Sequence, residues 1–265
     1  MPIASLPGDL EMHYTDDDFT DPWEEAETVV FHHGQAKSGR LLYGWVPALA
    51  GDFRVIRVDA RGFGRSSVPP PGYDWSLEGF ATDLKNLLDS LRIEKVHLIG
   101  ETIGGTVALR FARLFPERLH TVTICSSPFN FRGVQTYVDY YNLVKDKGVE
   151  GWARETSHNR LEPGKADPRQ IDWLAKEMGR TEQHVVLETL AYLATVDLTP
   201  ELSEITTQAL VIVGEKSASL DRSQKLADLL PNGRLALVPG VSGFAQFEAP
   251  AECAAIWRDF ARSAK

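Results

Sequence analysis

Apolar positions along the chain fall into two alternating patterns. Short runs rich in β-branched residues, each of buried-strand length, occur at 28–31, 53–58, 96–99, 122–125, 209–213 and 235–238. Between them the apolar spacing becomes helical. Phe80, Leu84, Leu87, Leu88 and Leu91 share one face of a helix, and Val107, Leu109, Phe111, Ala112 and Leu114 mark a second that ends before Pro116. Leu226, Leu229 and Leu230 indicate a third helix, and Cys253, Ile256, Trp257 and Phe260 a last one. Strands that alternate with helices predict an α/β fold, a parallel sheet covered on both faces.

Two segments break this rhythm. Residues 16–27, from Asp16-Asp17-Asp18 to Glu27, are acidic and polar and read as a solvated loop before the first core strand. Residues 129–199 carry helical signals at 134–144, 167–179 and 181–194, parted by Glu162-Pro163-Gly164, and no convincing strand. The predicted organisation is a core of residues 1–128 and 200–265 with a helical cap, 129–199, inserted over the carboxyl ends of the strands. Open α/β sheets bind ligands there.

Composition narrows the function classes. The 265 residues hold 28 Lys plus Arg against 37 Asp plus Glu, a formal charge of −9. That balance argues against a phosphate-reading groove, so no nucleic-acid partner is expected. Cys125 and Cys253 are too few for a disulfide framework, and no His/Cys spacing suggests a metal site, so neither a metal nor a cofactor is expected. The sequence has no apolar stretch of spanning length, and its opening residues lack a basic segment followed by an apolar one. A cytoplasmic protein with no membrane partner, acting on a small molecule, is the expectation.

The candidate chemistry sits in five short motifs. Val96 to Gly105 reads as a strand, a sharp turn at Gly100-Glu101-Thr102-Ile103-Gly104 and a helix start. Upstream, His32-His33-Gly34-Gln35 follows a strand, and Asp59-Ala60-Arg61-Gly62-Phe63-Gly64-Arg65-Ser66 follows the next. Phe115-Pro116-Glu117-Arg118 and Glu248-Ala249-Pro250 complete the series. Together and in this order they resemble the α/β-hydrolase superfamily, most nearly the branch of β-ketoadipate enol-lactone hydrolases and related small-ester or C–C-bond hydrolases. The resemblance implies the α/β-hydrolase fold: a mostly parallel central sheet, helices on both faces and a helical cap.

The same resemblance implies a catalytic triad, and this sequence departs from it at each position. The elbow residue, usually Ser, is Thr102; the acid position holds Ser217; Pro239-Gly240-Val241-Ser242-Gly243-Phe244 puts Gly243 where the histidine belongs. No histidine follows His184. A hydroxyl needs an adjacent base to become a nucleophile, so an acyl-enzyme cycle through Ser-His-Asp is not expected. An oxyanion hole uses backbone N–H groups, here of Gln35 and Ile103, and is indifferent to those side chains.

The resulting expectation is a cofactor-independent enzyme acting on a small carbonyl compound (a lactone, ester or enol acid), more of a lyase or isomerase than a serine hydrolase. Thr102 would orient the carbonyl, and His33, His32 or Glu101 would move a proton. Lys37, Lys216 and Arg160 are the cations placed to hold an anionic substrate. Trp152, His158, Arg160 and His184 are the cap's candidate binding residues, and Gly243 would leave room for ligand. Each has a plainer reading: His33 shaping its loop by hydrogen bonds, His32 finishing a strand, cap aromatics simply packing. Two alternatives stay open: a catalytically silent ligand-binding or sensor protein, and a non-standard hydrolase using Thr102.

Overall fold

The computed structural model describes residues 2–162 and 164–264; Pro163, within the predicted break in the cap, lies outside them. Eight strands form the sheet: β1 (Ile3–Leu6), β2 (Leu10–Asp17), β3 (Thr28–His32), β4 (Arg54–Val58), β5 (Val96–Glu101), β6 (Leu119–Cys125), β7 (Ala209–Gly214) and β8 (Gly233–Val238). Their order across the sheet is β1-β2-β4-β3-β5-β6-β7-β8. From β4 to β8 neighbours run parallel, while β1 and β2 form an antiparallel edge. Parallel neighbours need a crossover, and the helices supply it.

The edge corrects the sequence reading in one respect. Asp16 and Asp17 are not loop residues but the end of β2, paired in register with Ile56 and Val55 of β4. Two arginines of β4 make that possible: Arg54 pairs with Asp16 at 2.6 Å and Arg57 with Asp17 at 2.8 Å. Charge compensation across the ladder replaces the apolar alternation that normally announces a strand.

Helices α1 (Leu77–Ser90) and α2 (Ile103–Leu114) cover one face. Ser76 opens α1 as its cap, its Oγ accepting the Gly79 N–H at 3.0 Å. Leu84, Leu87, Leu88, Val107 and Phe111 pack there against Val30, Ile56, Leu98 and Val122 of the strands. On the other face Trp45 and helix α7 (Pro250–Ser263), through Cys253, Trp257 and Phe260, cover Phe31, Val55 and Ile212. Each such side chain, fully buried, contributes roughly 1.5–3 kcal/mol of apolar transfer free energy. Helix α6 (Leu220–Leu229) links β7 to β8.

Between β6 and β7 the described residues form α3 (Gln135–Glu155), α4 (Pro168–Met178) and α5 (Gln183–Leu193), with short turns and one antiparallel bridge, Asn130–Asp197, at the base. Helix α3 is broken at Gly148, whose φ of 72° is left-handed. These helices bury their own apolar cluster, with Val144, Trp152, Leu174, Met178 and Leu190, against Leu41 of the core. Among the described residues no helix is long and apolar enough to cross a membrane.

Candidate active site

Strand β5 delivers the chain into a sharp turn at Thr102, with φ 48° and ψ −118°, and α2 starts at the next residue. The turn is held from beside: the Thr102 N–H donates to the Cys125 carbonyl of β6 at 2.9 Å. A β-branched residue at positive φ is strained by about 1–3 kcal/mol, which persists only where the surroundings dictate it. Thr102→Gly is therefore expected to raise stability by about 1 kcal/mol, because relief of strain exceeds the extra entropy of glycine. Thermal or urea unfolding of the variant measures it.

Above this turn lies a cavity of about 380 Å³. The core contributes residues that follow five parallel strands: Gln35 and Lys37 after β3, Thr102 and Ile103 after β5, Ser126 after β6, Ser217 and Ser219 after β7, and Ser242 and Phe244 after β8. The cap closes over it with Tyr137, Tyr140, Trp152, His158 and Arg160, among others. The amides of Gln35 and Ile103 donate no hydrogen bond to any described residue, although both residues line the cavity. The Gln35 side chain turns the other way and donates to Thr189 Oγ1 at 2.6 Å, tying the loop to α5. The Trp152 indole N–H is buried and has no partner among the described residues.

Charge in the cavity is one-sided. Lys37, Arg160 and Arg222 line it, and no described Asp or Glu does. Burial pulls the Lys37 ammonium down to about 8, with Glu101 opposing the shift and Arg160 adding to it. Burial likewise brings the Arg160 guanidinium to about 10. Arg160 is anchored through Nη1, which donates to the Thr156 hydroxyl and to the Thr156 and Ala153 carbonyls. Arg222, in the first turn of α6, went unread in the sequence. The available signal was a cation directly after a core strand, on the carboxyl side of the sheet.

Glu101 does not face the cavity. Its carboxylate accepts from the Gly34 N–H at 2.5 Å, from Lys37 Nζ at 2.9 and 3.0 Å, and from Gln246 Nε2 at 3.2 Å. Lys37 Nζ also lies 4.6 Å from the Phe247 ring centroid. This buried pair clamps the loop that carries the Gln35 amide to the elbow that carries the Ile103 amide. The fit is close: a Cβ on Gly34 would stand 1.8 Å from Thr102 Oγ1 and 2.8 Å from Glu101 Oε1.

The two neighbouring histidines point into the protein. His33 donates from Nδ1 to the Gly34 carbonyl at 2.8 Å and accepts the Ala60 N–H on Nε2 at 3.0 Å, so both ring nitrogens are spent on backbone. His32 donates from Nδ1 to the His33 carbonyl at 3.0 Å, and burial drives its pKa down to about 3. Both line a small apolar cavity beneath the site instead. His184 is likewise directed elsewhere, with Nε2 bonded to the Pro69 carbonyl at 3.0 Å, and Lys216 does not line the cavity.

The room expected at Gly243 is filled. A Cβ there would meet the Arg160 carbonyl oxygen at 2.6 Å and Glu248 Oε2 at 2.8 Å. The Phe244 N–H donates to that same Arg160 carbonyl at 2.9 Å, and Glu248 accepts the Gly243 N–H at 2.8 Å. Cap main chain thus occupies the volume of the absent side chain. Of the sequence-predicted residues, the cavity gathers Thr102, Gln35, Ile103, Lys37, Trp152, His158 and Arg160, and leaves out His32, His33, Glu101, His184 and Gly243.

An elbow at the end of β5, a loop after β3 and a helical cap over the strand ends define a class of protein. The chain belongs to the α/β hydrolase fold family, whose sequence profile matches residues 27–250. It is 31% identical over 245 residues to RutD of Stutzerimonas stutzeri, a candidate carbamate hydrolase, covering 86% of this chain and 88% of that one. Identity is 26% to the 2-hydroxy-6-oxo-6-phenylhexa-2,4-dienoate hydrolase of Burkholderia cepacia, over 84% of each chain. Among solved structures, the enol-lactonase of Burkholderia xenovorans superposes with a TM-score of 0.88 at 22% identity, covering 98% of this chain and 99% of that chain, and so shares the fold.

Proposed function

We propose that the protein is a cofactor-independent enzyme acting on a small, negatively charged carbonyl compound, and that it stabilises a developing oxyanion without a serine acyl-enzyme. The observation that carries this reading is the pair of unpaired amides, Gln35 and Ile103, lining one cavity. Unspent backbone donors in a water-poor pocket stabilise an oxyanion or enolate with little reorganisation. Three cations without a carboxylate opposite them favour an anionic substrate. The names of two relatives, a carbamate hydrolase and a dienoate hydrolase, agree with a carbonyl substrate, the second with an anionic one.

The same reading leaves Thr102 as a hydrogen-bonding group rather than a nucleophile. With Ser217 and Gly243 at the acid and histidine positions of the family pattern, nothing supplies the base that attack would need. His33, His32 and Glu101 are withdrawn from that role, since their polar atoms are committed elsewhere or buried away from the cavity. His158 is the cavity histidine, and proton movement is assigned to it or to water. Elimination, isomerisation or decarboxylation through an enolate fits this equipment better than ester hydrolysis through a covalent intermediate.

A fluorophosphonate probe is the direct test: no label on Thr102 is expected, and stoichiometric labelling there would overturn the reading. Turnover should then be sought with matched charged and neutral esters, lactones and keto acids. Arg222→Ala should raise KM for the charged member by about tenfold, the worth of one charge-assisted contact, and leave the neutral member unchanged. Saturable binding of the anions with no turnover would favour the silent ligand-binding protein, which the sealed His33 and filled Gly243 position also suit.

A further inference from the structure

A second cavity, of about 600 Å³, opens between core and cap and shares the Lys37 side chain with the first. His13, Lys37, Arg57 and Asp59 form its buried floor, and Arg40, Arg65 and Arg180 its exposed rim. In a protein of net charge −9, this cleft collects five cations against two carboxylates, Asp59 and Glu177. Those two are already committed. Glu177 answers both Arg40, at 2.8 Å, and Arg180, at 3.5 Å, so one carboxylate is divided between two guanidinium groups. Asp59 accepts from the Gly39 and Arg65 amides and from His13 Nδ1 at 2.9 Å.

His13 is the second observation. Its side chain is 7% exposed, and its Nε2, buried on the floor, has no hydrogen-bond partner among the described residues. A buried ring nitrogen left unpaired costs free energy that a ligand can return. Because Nδ1 carries the proton given to Asp59, Nε2 of the neutral ring is an acceptor and calls for an O–H. The rim calls for negative oxygens in the planar geometry that guanidinium groups bind. A carboxylate offers only the second. A phosphoryl group offers both near neutral pH, because its second ionisation lies near pH 6 and a protonated oxygen remains accessible.

We propose that this cleft is a second ligand site, taking a phosphoryl group with its anionic oxygens on Arg40 and Arg180 and an oxygen-bound proton on His13 Nε2. Its occupant is either inorganic phosphate or the phosphate ester of a small metabolite.

Calorimetric titration of the full chain with inorganic phosphate and with glycerol 3-phosphate, in a zwitterionic buffer at low salt, tests the proposal without reference to any catalytic activity. One saturable site is expected, weakened about tenfold or more in the rim variant Arg40→Ala/Arg180→Ala and unchanged in Arg222→Ala. Tighter binding of glycerol 3-phosphate identifies an ester as the occupant, and equal binding identifies phosphate itself. Three outcomes overturn the proposal: no saturable binding of either anion, binding indifferent to the rim variant, or binding lost in Arg222→Ala, which would put the anion in the first cavity.

Discussion

Glu101→Ala is expected to destabilise the protein by about 3–5 kcal/mol, the cost of stranding one charge of a buried pair. Glu101 and Lys37 are 1% and 2% exposed, so neither can turn to water. The variant leaves the Lys37 ammonium against Phe244 and Phe247, and the Gly34 and Gln246 donors without their acceptor. Lys37→Met on top of it removes the stranded charge and should recover a large part of the loss. Urea unfolding of the two variants and the parent measures both steps. A single variant that lost less than about 1 kcal/mol would refute the clamp, since a pair so placed cannot be removed cheaply from one side.

Acid should weaken the fold before its carboxylates titrate. His32 has a folded pKa of about 3 against an ordinary 6.5, lowered first by burial and then by the neighbouring His33, itself lowered by burial. The unfolded chain takes up a proton below about pH 6.5 that the folded one refuses. Stability is therefore complete above pH 6.5 and falls as the pH drops toward 3. From His32 alone the loss is about 2 kcal/mol at pH 5. Unfolding curves at pH 8 and pH 5 should show it, and His32→Phe should remove that share of the slope. An identical slope in the variant would mean that the ring is not held neutral.

How much of this was legible in the sequence depends on whether a signal was local. The six core strands were, because a buried parallel strand must be a continuous apolar run. Strand β2 was not fully legible: Asp16 and Asp17 look like loop until Arg54 and Arg57 are placed across from them, 38 and 40 residues on. The elbow and the loop after β3 were legible from glycines that later proved to sit against neighbouring backbone or side chains. The roles of His32, His33 and Glu101 were not. Their orientation is set by partners such as Ala60, 27 residues from His33, and Lys37, 64 residues from Glu101, which motif spacing does not report. Arg222 escaped because attention fell on the apolar face of its helix, whereas the cavity meets the polar one.

The packing at Gly243 also bears on history. A histidine could be restored there by changing one residue, but its Cβ would collide with the Arg160 carbonyl, a main-chain atom that no change of rotamer can move aside. Reversion would first require the cap segment around Arg160 to retreat and surrender its hydrogen bond to Phe244. The segment acts as a ratchet: once the cap settled into this position, drift back to an imidazole was closed to single substitutions. Selection on this lineage has since had to work with what the cavity still holds, two backbone amides and three cations, rather than with the machinery its fold usually carries.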